Sequence, residues 1–294
     1  MEDKVLSRAR DFIYRHARLI DRRRYEYWFE GGSGEAVIQV LAAYQNEDGG
    51  FGHALEPDIR CPYSQPVPTE VALATMMEVG HYDEGMFRRM IGYLRSITLP
   101  EGGLPFVHAN VREYPHAPWW DPGRDNMPSL NPTGSIIGML YRQTFDPSVT
   151  REEWFVKCVD YIWRTMEREE MPNGYHEYLQ WMTFLTHTPE RERAIPQLAK
   201  LDAWLRKPGS IELDVDAEGY VQKVLDIAPS PDSYARKFVS EEMLTLHMDA
   251  LIAWQQEDGG WPINWVTVSP VVEWEWRGYL AVERLKTLRA YGRL

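Results

Sequence analysis

Residues 41–51 read LAAYQNEDGGF, and residues 251–261 read LIAWQQEDGGW. Seven of the eleven positions are identical, and the aromatic positions correspond as Tyr44 with Trp254 and Phe51 with Trp261. Self-similarity of this kind marks one supersecondary unit used more than once. Val37, Val40, Leu41 and Tyr44 fall at i, i+3, i+4 and i+7, the spacing of one helix face. Gly49-Gly50 then stops that helix, because glycine takes positive φ without steric cost. Phe51 anchors the exit. After a loop, Pro66, Pro68 and Thr69 mark a new helix start, and Leu73, Met76, Met77 and Gly80 form its buried stripe. The unit is therefore a pair of helices joined through a Gly-Gly-aromatic turn.

Weaker copies extend the pattern. Glu101-Gly102-Gly103-Leu104, Pro172-Asn173-Gly174-Tyr175 and Ala217-Glu218-Gly219-Tyr220 each set turn residues before a large side chain. Val5, Ala9, Phe12, Ile13, His16 and Leu19 predict a first amphipathic helix, and Phe155, Cys158, Val159, Ile162 and Met166 another. Segments 131–145, 174–187, 189–206, 232–256 and 270–291 also read as helical. Ile211, Leu213 and Val215 alternate with charged residues, which predicts a small hairpin over 209–227. No Gly/Ser-rich linker divides the chain. The expectation is one all-α domain over 1–294, an α/α toroid of helix hairpins with a small β-hairpin at its edge.

Composition bounds the partners. Lys and Arg number 32 against 44 Asp and Glu, a net charge of −12 that repels nucleic-acid phosphates and anionic membranes. No apolar run is long enough for a transmembrane helix, so no integral membrane segment is expected. The start, Met1-Glu2-Asp3-Lys4, does not read as a signal peptide. Two cysteines, Cys61 and Cys158, imply no disulfide framework, and a cytoplasmic location fits. The chain carries 12 Trp, 16 Tyr and 9 Phe, a set that must line a core or a pocket. Ring-lined pockets suit carbocations through cation–π attraction and sugars through stacking. Most of these rings are expected to be packing residues.

The string Gln45-Asn46-Glu47-Asp48-Gly49-Gly50-Phe51-Gly52 resembles the "QW" repeat of squalene–hopene-type terpenoid cyclases. It is also similar to the Gly-Gly-Phe-Gly repeats of protein prenyltransferase β subunits. The likeness continues through Ser64-Gln65-Pro66-Val67-Pro68-Thr69-Glu70-Val71-Ala72-Leu73 and returns at Gln255 to Trp261. The resemblance implies a barrel of inner and outer helices around a central cavity, with Gln45, Phe51, Gln255 and Trp261 tying adjacent repeats. Two departures limit what it implies about chemistry. The cyclases' Asp-x-Asp-Asp acid has only Asp214-Val215-Asp216-Ala217 as a counterpart, and that string falls in the expected hairpin. A prenyltransferase zinc needs Asp, Cys and His, and Asp58, Cys61 and His53 do not fall at known ligand spacing. Neither a metal nor another cofactor is expected.

By the same analogy, loops entering the inner helices rim the cavity. The first runs Gly52-His53-Ala54-Leu55-Glu56-Pro57-Asp58-Ile59-Arg60-Cys61. Glu56, Asp58 and His53 are the catalytic candidates, since neighbouring carboxylates split their pKa values and leave one protonated. Arg60 and Gln65 are candidates for holding the substrate. A loop braced by an Asp58–Arg60 ion pair, with Glu56 capping a helix, is the structural alternative. The second loop runs His116-Ala117-Pro118-Trp119-Trp120-Asp121-Pro122-Gly123-Arg124-Asp125-Asn126, where Trp119, Trp120 and Asp121 are substrate-binding candidates. A lid packed over the core is the alternative there. Trp265 is a further candidate, within a cluster with Trp261, Trp274 and Trp276. Three functions follow. The first is a cyclase-like or prenyltransferase-like protein that binds an apolar or isoprenoid ligand and uses acid catalysis. The second is a carbohydrate-active hydrolase or lyase. The third is a scaffold that binds without catalysis.

Overall fold

A computed structural model describes residues 2–121, 123 and 127–294, the side chains of Glu2 and Asp3 excepted. Pro122, Arg124, Asp125 and Asn126 of the second candidate loop lie outside the described residues. The chain is all-α, with one two-stranded antiparallel pair among the described residues. The helices are α1 (Glu2–His16), α2 (Leu19–Phe29), α3 (Gly34–Leu41), α4 (Pro66–Val79), α5 (Glu84–Ile97), α6 (Leu130–Arg142), α7 (Glu153–Arg168), α8 (Tyr175–His187), α9 (Arg191–Leu205), α10 (Val224–Ile227), α11 (Glu241–Ala253) and α12 (Pro270–Ala290). Strands β1 (Leu104–Pro105) and β2 (Pro128–Ser129) pair Leu104 with Ser129. Contacts divide the chain into two compact units, one of residues 1–37 with 205–294, the other of residues 38–204.

In the first unit α1 packs on α12 and α2, and α10 on α11. Phe12, Ile13, Leu251, Trp261 and Leu285 are among its fully buried core. Asp21 and Arg24 of α2 are buried and paired, and Arg24 also meets Glu283 and lies 4.9 Å over the Tyr279 ring. In the second unit α6 is the hub, packed on α8, α4 and α7. Gly134 and Gly138 permit this: a Cβ at 134 would stand 2.9 Å from the Gln180 Cβ, and one at 138 would stand 2.5 Å from the Thr183 carbonyl oxygen. Helix axes approach this closely only where no side chain intervenes.

The repeated turns are built alike. Asn46 N–H donates to Gly50 O at 2.9 Å and Gly49 N–H to Asn46 O at 3.0 Å. The second copy has Gln256 N–H on Gly260 O at 2.8 Å and Gly259 N–H on Gln256 O at 2.9 Å. Gln45 Nε2 donates to Gly49 O at 3.0 Å and to Met86 O at 2.9 Å. Gln255 Nε2 does the same with Gly259 O and Val5 O, each at 2.9 Å. Each glutamine thus fastens its own turn to a neighbouring helix, α5 in one unit and α1 in the other. The positive φ falls on the first glycine of each pair, Gly49 at 94° and Gly259 at 95°. The second glycines, Gly50 and Gly260, are held by space instead: a Cβ would lie 2.5 Å from Ser64 Cβ and 2.7 Å from the Phe12 ring.

The Gly102 turn is a third working copy, with Leu99 N–H on Gly103 O at 3.0 Å. In it Leu104 N–H donates to Thr133 Oγ1 at 2.9 Å, as Phe51 N–H donates to Thr69 Oγ1 at 3.1 Å. The strand pair belongs to this copy, and the Phe51–Gln65 bridge is its counterpart in the first. The hairpin expected over 209–227 is not formed. Glu212 and Lys223 make a single bridge, Leu213 is exposed, and the Leu213 carbonyl meets His247 Nε2 at 3.0 Å instead of a partner strand. Gly174 and Gly219 have positive φ, but a Cβ there would meet nothing within 4 Å, so these are turns that tie no helix. The helix expected over 232–256 is broken into a 3₁₀ turn at Tyr234–Phe238 and α11, where Ser240 caps α11 through Met243 N–H.

Candidate functional site

The structure brings the two candidate loops of the second unit together. Ile59 pairs with His116, Arg60 N–H donates to Pro115 O at 3.0 Å, and Ala117 N–H donates to Asp58 O at 3.0 Å. Glu56 and Asp58 are buried, at 6% and 1% exposure. His53 is exposed at φ 54°, and its Nε2 meets Asn46 Oδ1 at 2.9 Å, so it braces the first repeat turn. Arg60 is half-buried, with Nη1 3.4 Å from Pro57 O. Gln65 is fully buried and its amide is committed: Nε2 donates to Asn110 Oδ1 at 2.6 Å, and Oε1 accepts from His108 N–H at 2.7 Å. Trp119 is exposed. Trp120 packs on Phe106 at 5.2 Å and covers the Ile59, Cys61, Val67 cluster. Asp121 is exposed; the Gly123 N–H and then Arg112 hold its carboxyl below the usual carboxylate range. In the other unit Trp265 stands edge-on to Trp276 at 5.3 Å and to Tyr220 at 6.1 Å. Trp274 leaves that cluster and stacks on His16 at 4.6 Å. Asp214 and Asp216 sit in an exposed turn, with Asp216 N–H on Asp214 Oδ1 at 2.9 Å.

A pocket of the second unit lies elsewhere. It has a cavity volume of about 520 Å³ and is walled by residues 105–107, 127–131, the end of α7 and the start of α8. None of the candidates named from sequence lines it. Phe106 and Val107 form its floor toward the Trp120 cluster. Tyr161, Thr165, Arg168 and Glu169 come from α7 and its end, and Asn173, His176 and Glu177 from the turn into α8. This size is within the range of small-molecule sites.

Its chemistry centres on two carboxyl groups. Glu177 Oε1 accepts from Trp181 Nε1 at 3.0 Å, which fixes its direction. Glu169 is pushed up to about 7, by burial first and then by its hydrogen bond and charge repulsion with Glu177. The two carboxyls are hydrogen-bonded to each other, and the acid form of Glu169 is favoured. Arg168 also lines the pocket. His176 opens to solvent in the concave wall, and the protein mass around it holds its imidazole below the ordinary value.

A buried polar string runs behind the wall. Gln180 Nε2 lies 3.4 Å from Glu70 Oε1 and 3.4 Å from Asn131 Oδ1, and Gln180 Oε1 accepts from Ser135 N–H at 2.7 Å. Desolvation pushes Glu70 up to about 7, against the hydrogen bonds from Ser135 and Gln180. Cys61 and Cys158 are free and buried, and burial pushes the Cys158 thiol up to about 11. Among the described residues no three His, Cys, Asp or Glu side chains gather at metal-ligating spacing. No helix of the described residues is long and apolar enough to cross a membrane.

One signal for this pocket was present in the sequence. Glu169 and Glu177 flank Pro172-Asn173-Gly174-Tyr175, the fourth turn copy, which leads into a helix as the first copy does. The starts of α6 and α8 are of the same kind as the start of α4.

The fold and pocket together define a class: an all-α protein of paired helices joined by glutamine-anchored Gly-Gly turns, with a pocket whose wall carries two neighbouring carboxyl groups. A crystal structure of a protein from Actinoplanes is similar over 99% of this chain and 100% of that one, with a TM-score of 0.57 and 14% identity. At that identity the likeness shows the fold alone. Neither a family model nor a curated protein matches the chain.

Proposed function

We propose that the pocket of residues 38–204 binds a neutral, hydroxyl-rich molecule of the sugar class, and that Glu169 serves as a proton donor to an oxygen of that molecule. The observation that carries this reading is the Glu169–Glu177 pair in the pocket wall, one member anchored by Trp181. A carboxyl that holds its proton near neutral pH is what a glycosidic or carbonyl oxygen needs from a general acid. Nine of the fifteen lining residues are polar, and Tyr161 and Phe106 offer ring faces for stacking. The two carboxyls are close enough to share a hydrogen, closer than the separation of about 5–9 Å that glycosidases use to place a nucleophile or water between them. The pair thus acts as one acid.

An isoprenoid ligand with acid catalysis is the second reading. The Gln45 and Gln255 turns favour it, since they have the tying geometry implied by the terpenoid-cyclase and prenyltransferase resemblance. That support is at the level of scaffold, whereas the pocket lining supports the sugar. Calorimetric titration with glucose, xylose, maltose and cellobiose, beside glucuronate and farnesyl diphosphate, separates them. The expected result is binding of at least one neutral sugar, weakened at least tenfold in Glu177→Gln with an unchanged melting temperature. Binding of farnesyl diphosphate alone, or of none of the neutral sugars, overturns the proposal.

A further inference from the structure

The structure assigns Asn131 as a hydrogen-bond donor to the pocket's ligand, with Gln180 as the positioning residue that sets its polarity. The inference rests on the reading of this pocket as a ligand site and specifies what the ligand must offer there.

The polarity of a backbone group is fixed. Asn131 has an extended conformation, φ −89° and ψ 115°, at the start of α6. Its carbonyl is therefore out of helical position, and the N–H four residues on, at Ser135, turns to another acceptor. That acceptor is a side-chain oxygen of Gln180, at 2.7 Å. An amide has one acceptor end and one donor end, so this bond leaves the Gln180 NH₂ at the other. Its two hydrogens are both used, one toward Glu70 Oε1 and one toward Asn131 Oδ1, each at 3.4 Å. The atom of Asn131 that faces Gln180 must then be the oxygen. What remains of its side chain is NH₂, and Asn131 lines the pocket. The absence of a Cβ at Gly134 lets Gln180 reach across, since a methyl group there would stand 2.9 Å from its Cβ.

The consequence is a chemical requirement on the ligand. It must present a lone-pair oxygen to Asn131 Nδ2, such as a ring, carbonyl, glycosidic or hydroxyl oxygen. A cation or a bare N–H donor at that position is refused.

Asn131→Asp tests this because it keeps the oxygen that Gln180 donates to and replaces only the NH₂. In protein labelled with ¹⁵N at asparagine, the side-chain NH₂ signal missing from Asn131→Asp is that of Asn131. The expected result is that this signal exchanges with water on the timescale of seconds or faster, as a pocket-facing group does. Protection from exchange comparable to that of core amides overturns the inference. A second measurement uses the neutral sugar that binds the native protein, and Asn131→Asp should weaken it at least tenfold while the melting temperature is kept. Unchanged affinity also overturns the inference. If no sugar binds the native protein, the functional reading fails, and the exchange measurement still decides the orientation of Asn131.

Discussion

At the residue scale, the molecule is governed by where a Cβ is forbidden. Gly49 combines a φ of 94° with a position where a Cβ would stand 2.1 Å from the Arg89 carbonyl oxygen. Gly259 has the same relation to Arg8 O, and Gly102 to Lys157 O, each at 2.1 Å. Gly80 also has positive φ, at 58°, but a Cβ there meets nothing within 4 Å. The comparison separates conformational strain from steric exclusion. Gly80→Ala should cost about 1–2 kcal/mol. Gly49→Ala and Gly259→Ala should each cost about 3 kcal/mol or more, because backbone must also move. Chemical denaturation of the three variants checks this, and equal losses at all three positions contradict it. These glycines, the glutamines and the aromatic residues after them were legible in the sequence because their partners are repeated with them. Which glycine of each pair carries the positive φ was not legible from composition: it is the first in Gly49-Gly50 and Gly259-Gly260, and both in Gly102-Gly103.

At the scale of elements, α6 shows what a helix needs to be a hub. Its Gly134 and Gly138 lie on the side facing α8, and backbone of α8 fills the space. Gly138→Ala would place a methyl 2.5 Å from the Thr183 carbonyl oxygen. It should cost about 1–3 kcal/mol, the range for overpacking. Because it drives α8 away from α6, it should also loosen the Gln180–Asn131 contact and expose the Asn131 region to hydrogen exchange. Unchanged stability together with unchanged exchange in α8 would show that the two helices are not held by this approach. Helices α1, α4 and α7 were legible from apolar spacing, and α8 and α12 also read as helical. Helix α2 was not, since its sequence LIDRRRYEYWF has no apolar stripe and its buried face includes Asp21 and Arg24, which are paired. The strand expected at 211–215 shows the opposite case. Alternation was present, but no second strand was there to receive it, and isolated alternation does not make a sheet.

At the scale of the molecule, the net charge of −12 comes from 44 acidic against 32 basic residues, and carboxylates such as Asp21, Glu152 and Asp258 are paired with Arg. Glu169 and Glu70 are different, because both are raised to about 7 by burial. The loops chosen from sequence, with Glu56 and Asp58, do come together, yet the pocket wall is drawn from residues 105–107, 127–131, 161–169 and 173–177. No local pattern announces a site assembled from four separated segments, and desolvation of one glutamate leaves no trace in residue spacing. The linkage sign is definite. Glu169 has a folded pKa above its ordinary value of 4.5, so the folded protein holds the proton more tightly than the unfolded chain. Its contribution is fully present below about 4.5 and is lost as pH rises through about 7. The most direct measurement of the central claim is a ¹³C NMR titration of the glutamate carboxyl carbons, with Glu169→Gln and Glu70→Gln to assign the two displaced resonances. The account predicts a Glu169 midpoint near 7 that falls in Glu177→Gln, where the neighbouring charge is gone. A Glu169 midpoint at about 4.3, the value of an ordinary exposed glutamate, would contradict it.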